Sequence, residues 1–151
     1  LTFARSIDPI APMDMTITRS VPISEESREE KGESMFGRKA IVPYGLYRGH
    51  GFFNPTLAEQ TGFDSDDLKL FWQALQMSWE LDRSASRGMM ALRGLYVFSH
   101  DNKLGNAPAH TLFDRVDVQT DADAPRSFSD YAVAVEDADL PEGVTLTRII
   151  G

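Results

Sequence analysis

Apolar positions along the chain switch between a period of two and a period of 3.6, and each switch marks an element. "LTFARSID" alternates and stops at Pro9, which predicts a strand over 1–8. "MTITRSV" at 15–21 is a second β-rich run. The polar stretch "PISEESREEKGESMFGR" at 22–38 has no period and reads as a loop or protruding hairpin. "AIVPYGLY" at 40–47 reads as a strand holding Pro43 and Gly45, which favours an edge, a bulge or close backbone approach by a partner. Helical spacing begins at Asp64, an N-cap with Asp67 at N3, and Phe63 and Leu68 are placed as a hydrophobic staple. Leu68, Phe71, Trp72, Leu75 and Trp79 then form an apolar stripe. Leu70, Ala74, Met77 and Leu81 widen it, so the pattern predicts a helix covered on more than one side. "RGLYVFSH" at 93–100 returns as a strand, followed by the loop "DNKLGNAPAH" and a short amphipathic "TLFDRV". "DYAVAVED" and "VTLTRII" read as two strands joined through Leu140-Pro141-Glu142-Gly143.

Strand, packed helix, strand is a βαβ unit. In an α+β domain it is half of a ferredoxin-like or RRM-like sheet, in which a strand from elsewhere lies between its two strands. That strand would come from a preceding part of the protein or from the early strands here. No internal repeat and no linker divides the chain, so residues 1–151 read as a single unit.

Composition narrows the classes. The 151 residues are 42% hydrophobic and contain no cysteine, which excludes a disulfide framework and thiolate metal sites and fits a reducing cytoplasm. No apolar run approaches the roughly 20 residues that a membrane helix needs. The chain starts at Leu1 and reads as a possible fragment of a longer protein.

A net charge of -8 argues against nucleic acid until its distribution is read. From Asp117 onward, Asp117, Asp121, Asp123, Asp130, Glu136, Asp137, Asp139 and Glu142 face only Arg126 and Arg148, so 117–151 reads as an acidic C-terminal extension. "SEESREEKGE" at 24–33 is a second acid-rich patch. Residues 37–53, "GRKAIVPYGLYRGHGFF", carry Arg38, Lys39, Arg48 and His50 with no carboxylate. Residues 83–100 carry Arg83, Arg87 and Arg93, again with none. Segregation of this kind steers a polyanion; the alternative is chance clustering on a solvated surface.

Within these windows "RGHGFF" at 48–53 resembles the start of the RNP1 pattern, where sheet aromatics stack bases and a basic residue meets phosphate. The alternative places Phe52 and Phe53 in the core, with the glycines making a bulge. "DRSASRGMMALRG" at 82–94 suits a loop that hugs a phosphate backbone, with Ser84 and Ser86 as further donors. Arg87 and Arg93 equally suit the C-terminus of the preceding helix, where cations are favoured. Met89 and Met90 read as core. His50, His100 and His110 match no zinc spacing, and neither a nucleophile elbow nor a P-loop is present. Asp8 and Asp14, flanking Pro9 and Pro12, read as turn caps. No metal, no cofactor and no catalytic residue is expected.

"FARSIDPI", "TITRS", "GRKAIVPYGLYRGHGFF", "TGF", "DRSASRGMM" and "LYVFSHDNKLGNAPAH", in this order, resemble the C-terminal half of the CRISPR-associated backbone subunit of the subtype I-C Cascade complex. The resemblance runs from about Leu1 to Val116 and more loosely through the tail. It implies a non-enzymatic protein that polymerises along the spacer of a guide RNA and presents it for pairing with target DNA. It also implies a partial RRM-like palm, a thumb-like insertion over residues 20–40, and contacts with further copies of itself and with other Cascade subunits. On that reading Met35 and Phe36 form an apolar wedge between bases, and Arg19, Arg38, Lys39, Arg48, His50, Arg83, Arg87 and Arg93 contact the RNA. Binding would be independent of sequence, because base pairing carries the specificity. The alternatives are a ribonuclease acting on guide precursor through His50 or His100, and a protein-only assembly module.

Overall fold

A computed structural model describes residues 1–19, 35–84 and 87–151, and the backbone alone of Arg19, Met35 and Phe36. The architecture is α+β: among the described residues, short antiparallel strands with three α-helices. The strands are β1 (Arg5–Ser6), β2 (Met13–Arg19), β3 (Met35–Ile41), β4 (Tyr47–Arg48), β5 (Leu95–His100), β6 (Val116–Gln119), β7 (Ala132–Val135) and β8 (Val144–Ile150). The helices are α1 (Pro55–Thr61), α2 (Ser65–Leu81) and α3 (Ala109–Phe113). Among the described residues each strand has one partner, giving the antiparallel pairs β1–β4, β2–β3, β5–β8 and β6–β7.

The residues fall into two compact units. One comprises residues 1–50 and 120–131, the other 51–119 and 132–151. In the first, the β2–β3 ribbon pairs Met13 with Ile41 through to Arg19 with Met35. Tyr131, 8% exposed, ties the returning segment down. Its hydroxyl donates to Asp8 Oδ2 at 2.5 Å, and its ring lies 6.4 Å from that of Tyr44. Burial, and then the Asp8 carboxylate, push the Tyr131 phenol well above its ordinary range. Asp8 is therefore held as a long-range acceptor rather than as a turn cap.

In the second unit Ala58, Leu112, Val116 and Val144 are buried. The capping box of α2 forms as its sequence predicts. Asp64 Oδ1 accepts from the N–H groups of Asp66 and Asp67, and Asp67 Oδ2 accepts from that of Asp64. The stripe is another matter, because no residue of α2 is buried. Leu68, Trp72 and Leu75 are half-buried, while Leu70, Phe71, Met77, Trp79 and Leu81 are exposed, Leu81 at 75%. The periodicity identifies the apolar face; burying it requires cover that the described residues do not supply.

Other expectations change too. Of 1–8 only Arg5–Ser6 is strand. "AIVPYGLY" is not one strand: β3 ends at Ile41 and β4 begins at Tyr47. Pro43 lacks the N–H a ladder needs. A Cβ on Gly45 would stand 2.7 Å from Ile10 Cδ1, so the close approach there is to the chain itself. Flanking the helices, β4 and β5 do not pair with each other; their partners are β1 and β8. "TLFDRV" divides between α3 and β6. Of the thumb-like insertion at 20–40, residues 20–34 lie outside the described set and 35–40 belong to β3.

Candidate nucleic-acid interface

The cations separate by what holds them. In the second unit most are already neutralised. Arg87 makes a two-pronged fork with Asp82, Nη1 to Oδ2 and Nη2 to Oδ1, both at 2.6 Å. Arg83 donates through Nε to the Glu80 carbonyl at 3.0 Å and through Nη2 to the Glu80 carboxylate at 3.1 Å. It is thus Arg83, not Arg87, that satisfies a carbonyl of the last turn of α2. Lys69 pairs with Asp66, Lys103 with Glu59 and Arg148 with Asp137. Arg115 donates to the carbonyls of Ala138 and Asp139. All five ion pairs are solvent-exposed, so each contributes at most about 1 kcal/mol. Their consequence is local charge balance.

The first unit differs. Among the described residues no carboxylate lies within ion-pair distance of Arg5, Arg38 or Lys39. Arg38 stands opposite Thr16 and Lys39 opposite Met15 on the β2–β3 ribbon. Successive strand residues point to opposite faces. One face therefore carries Arg38 with Asp14, Thr16, Thr18 and Ala40, and the other carries Lys39 with Met13, Met15, Ile17 and Ile41. The two cations are neighbours in sequence but serve different faces. Both ribbon faces are accessible: Met13, Met15 and Ile17 are about half exposed, and Arg38 is exposed.

Arg48 lies in β4, half-buried, and His50 follows it two residues on. Thr2 closes over this stretch, its N–H donating to the His50 carbonyl at 2.8 Å and its Oγ1 accepting from the His50 N–H at 3.2 Å. Burial, and then the positive charge of Arg48, hold the His50 imidazole below its usual value of 6.5. A lowered value favours the neutral ring, which carries no charge to offer a phosphate. No cluster of His, Asp and Glu able to hold a metal occurs among the described residues.

The RNP1-like reading of 48–53 does not take strand form. Pairing ends at Arg48, and Phe52 and Phe53 lead into Asn54, whose side chain caps α1 by accepting from Thr56 N–H and Leu57 N–H. Phe52, 66% exposed, meets Phe113 edge-on with centroids 5.6 Å apart, and Phe53 meets Phe63 at 5.6 Å. Neither ring lies on a sheet surface, and neither is buried core.

Arg83, Ser84, Gly88 and Met89 line a shallow open pocket of about 350 Å³. Met89 is 87% exposed rather than core, and Ser86 lies outside the described residues. Arg93 is exposed, in the stretch before β5. Backbone pairing sets Arg19 opposite Met35 and Thr18 opposite Phe36 at the far end of the ribbon.

His100 is fixed by its own loop. Its Nδ1 accepts the Asn106 N–H at 2.9 Å, which leaves the proton of the neutral ring on Nε2. Asn106 Nδ2 donates to Asp101 Oδ1 at 2.6 Å. Gly143, with φ of 76°, packs so closely that a Cβ would fall 2.5 Å from that oxygen. These contacts account for His100 and Asp101 as loop structure. His110 sits in the last turn of α3, exposed.

Sequence reasoning missed Arg5, Tyr131 and α1. The dipeptide Asn54-Pro55, with Gly62 seven residues past the proline, is the signal that would have found α1. No helix among the described residues is long and apolar enough to cross a membrane. A family model described as CRISPR-associated protein Cas7 matches residues 1–136. No curated protein matches the chain.

Proposed function

Because the chain belongs to the CRISPR-associated protein Cas7 family, we propose that it is a non-catalytic backbone subunit that coats guide RNA in the surveillance complex of CRISPR antiviral defence. Membership itself places the chain in CRISPR defence, among backbone subunits of guide-RNA complexes. The finer reading assigns it to a subtype I-C Cascade complex. There, copies of the chain line up along the spacer in contact with other Cascade subunits in the cytoplasm, and the guide is held open for target DNA. In this reading the α+β elements are part of an RRM-like palm, and residues 20–40 form a thumb with Met35 and Phe36 as its wedge.

One observation supports the RNA contact: among the described residues Arg38 and Lys39 stand on an accessible ribbon without carboxylate partners, while the cations of α2 and the following loop are mostly paired. Unpaired cations release counterions when they meet phosphate; paired ones must first give up a carboxylate. Arg38 and Lys39 are therefore the principal contacts, with Arg48 beside them in β4, and Arg83 and Arg87 are secondary ones. Specificity in this reading comes from base pairing between guide and target, not from these side chains.

The test is binding of two single-stranded RNAs of equal length and unrelated sequence to the full-length protein. Equal affinities within about threefold, with both RNAs intact afterwards, agree with backbone recognition. A preference of a hundredfold, or cleavage that His50→Ala abolishes, contradicts it.

A further inference from the structure

At about 100° per residue, the apolar positions of α2 fall into two stripes on opposite sides of the helix. Leu68, Trp72, Leu75 and Trp79 form one, and the first three of these are half-buried. Leu70, Ala74, Met77 and Leu81 form the other. Every residue of this second stripe is exposed, Leu70 at 64%, Met77 at 55% and Leu81 at 75%. A single exposed leucine needs no explanation, but a continuous apolar stripe marks an interaction surface. The steps along it are of four, three and four residues, the spacing of a coiled-coil seam.

The stripe is complementary to itself. A two-fold axis midway between Ala74 and Met77 brings Leu70 of one copy onto Leu81 of the other, and Ala74 onto Met77. A small side chain then faces a long, adaptable one in each inner layer, so the two seams interdigitate. Charge selects the same antiparallel direction. The N-terminal end of α2 carries Asp64, Asp66 and Asp67 against Lys69 alone, whereas at the C-terminal end Glu80 and Asp82 are matched by Arg83 and Arg87. Parallel helices would align acid with acid. Antiparallel ones keep the acidic ends apart and set each positive dipole end beside a negative one.

We propose that the stripe of Leu70, Ala74, Met77 and Leu81 on α2 is a docking surface for a second copy of this chain, the two helices packing antiparallel about a two-fold axis. The contact is made by protein alone, so it is separate from copies lining up along RNA and does not depend on that reading. An isologous contact closes on itself and gives a pair, whereas a head-to-tail contact extends. Four seam residues from each copy fall well short of the about 20–30 of a standard interface, which places the pair among weak, reversible contacts.

The test measures mass against concentration by sedimentation for the full-length protein, freed of RNA by nuclease. The parent should rise from one copy towards two. Met77→Glu, which keeps a good helix former at an exposed position, should raise the dissociation constant of the pair at least about tenfold and leave the melting temperature unchanged. Because residues 1–151 hold no cysteine, the direction of packing can be read by cross-linking against the parent as background. Under oxidation, Leu70→Cys mixed with Leu81→Cys should yield a disulfide-linked pair of the two variants. Either variant alone should link severalfold less, since its two thiols would lie the length of the seam apart. A parent that stays monomeric over the whole series, association that requires RNA, or Leu70→Cys linking readily to itself would overturn the proposal. So would a marked fall in the melting temperature of Met77→Glu, because the stripe would then be covered within its own chain.

Discussion

Tyr131 shows how a single side chain joins distant parts of the chain. Its hydroxyl reaches Asp8 from 123 positions away, and Asp8 Oδ1 has no other donor among the described residues. Tyr131→Phe removes the donor and leaves a poorly solvated carboxylate, so unfolding in denaturant should show a loss of about 1–3 kcal/mol. An unchanged midpoint would mean that water replaces the hydroxyl. His50 gives a pH signature. Its folded pKa is lowered, so the unfolded chain takes up the proton first as pH falls below 6.5, and this contribution to stability is lost in that acid window. Arg48→Gln removes one of the two causes, and an NMR titration should then find His50 nearer 6.5 than in the parent. Residue-scale contacts such as these were not legible in the sequence. A hydrogen bond between two remote positions leaves no periodic trace, and Asp8 beside Pro9 looked like an ordinary turn cap.

At the scale of elements, the ribbon and the loop after α2 make opposite offers to a polyanion. Arg87 is spent on Asp82, whereas Arg38 and Lys39 are not. Arg87→Gln should therefore change RNA affinity by less than about threefold at low salt, and Arg38→Gln by about tenfold. Because Arg38 and Lys39 occupy opposite faces, the two ribbon substitutions should differ from each other when compared in one titration. Equal losses would mean that RNA wraps both faces. Element identity was largely legible: the capping box of α2 follows from Asp64 and Asp67, and β2, β5, β7 and β8 follow from alternation. What failed was pairing and cover. Alternation in "AIVPYGLY" ran through Pro43, where no ladder continues, and a seven-residue helix at Pro55–Thr61 is too short to show a period. The stripe on α2 is apolar as its spacing requires but not enclosed among the described residues, since periodicity records a face and says nothing of its neighbour.

For the molecule as a whole, charge is sorted by region. Residues 117–151 are acidic, the cations of α2 and its loop are largely balanced, and Arg5, Arg38 and Lys39 have no carboxylate partner among the described residues. The sequence made the two acid-free windows visible, but could not separate them, because a carboxylate just outside a window, Asp82, neutralises a cation inside it. Strand pairing then placed Arg5, outside both windows, beside Arg48. The most direct test of RNA sheathing by these side chains is the dissociation constant of the full-length protein for single-stranded RNA across a salt series, with and without Arg38→Gln, Lys39→Gln and Arg48→Gln combined. Log affinity should fall steeply with log salt in the parent, and the slope should flatten by about 0.7 for each phosphate contact removed. A parent slope near zero, or an unchanged slope in the triple variant, would contradict the account.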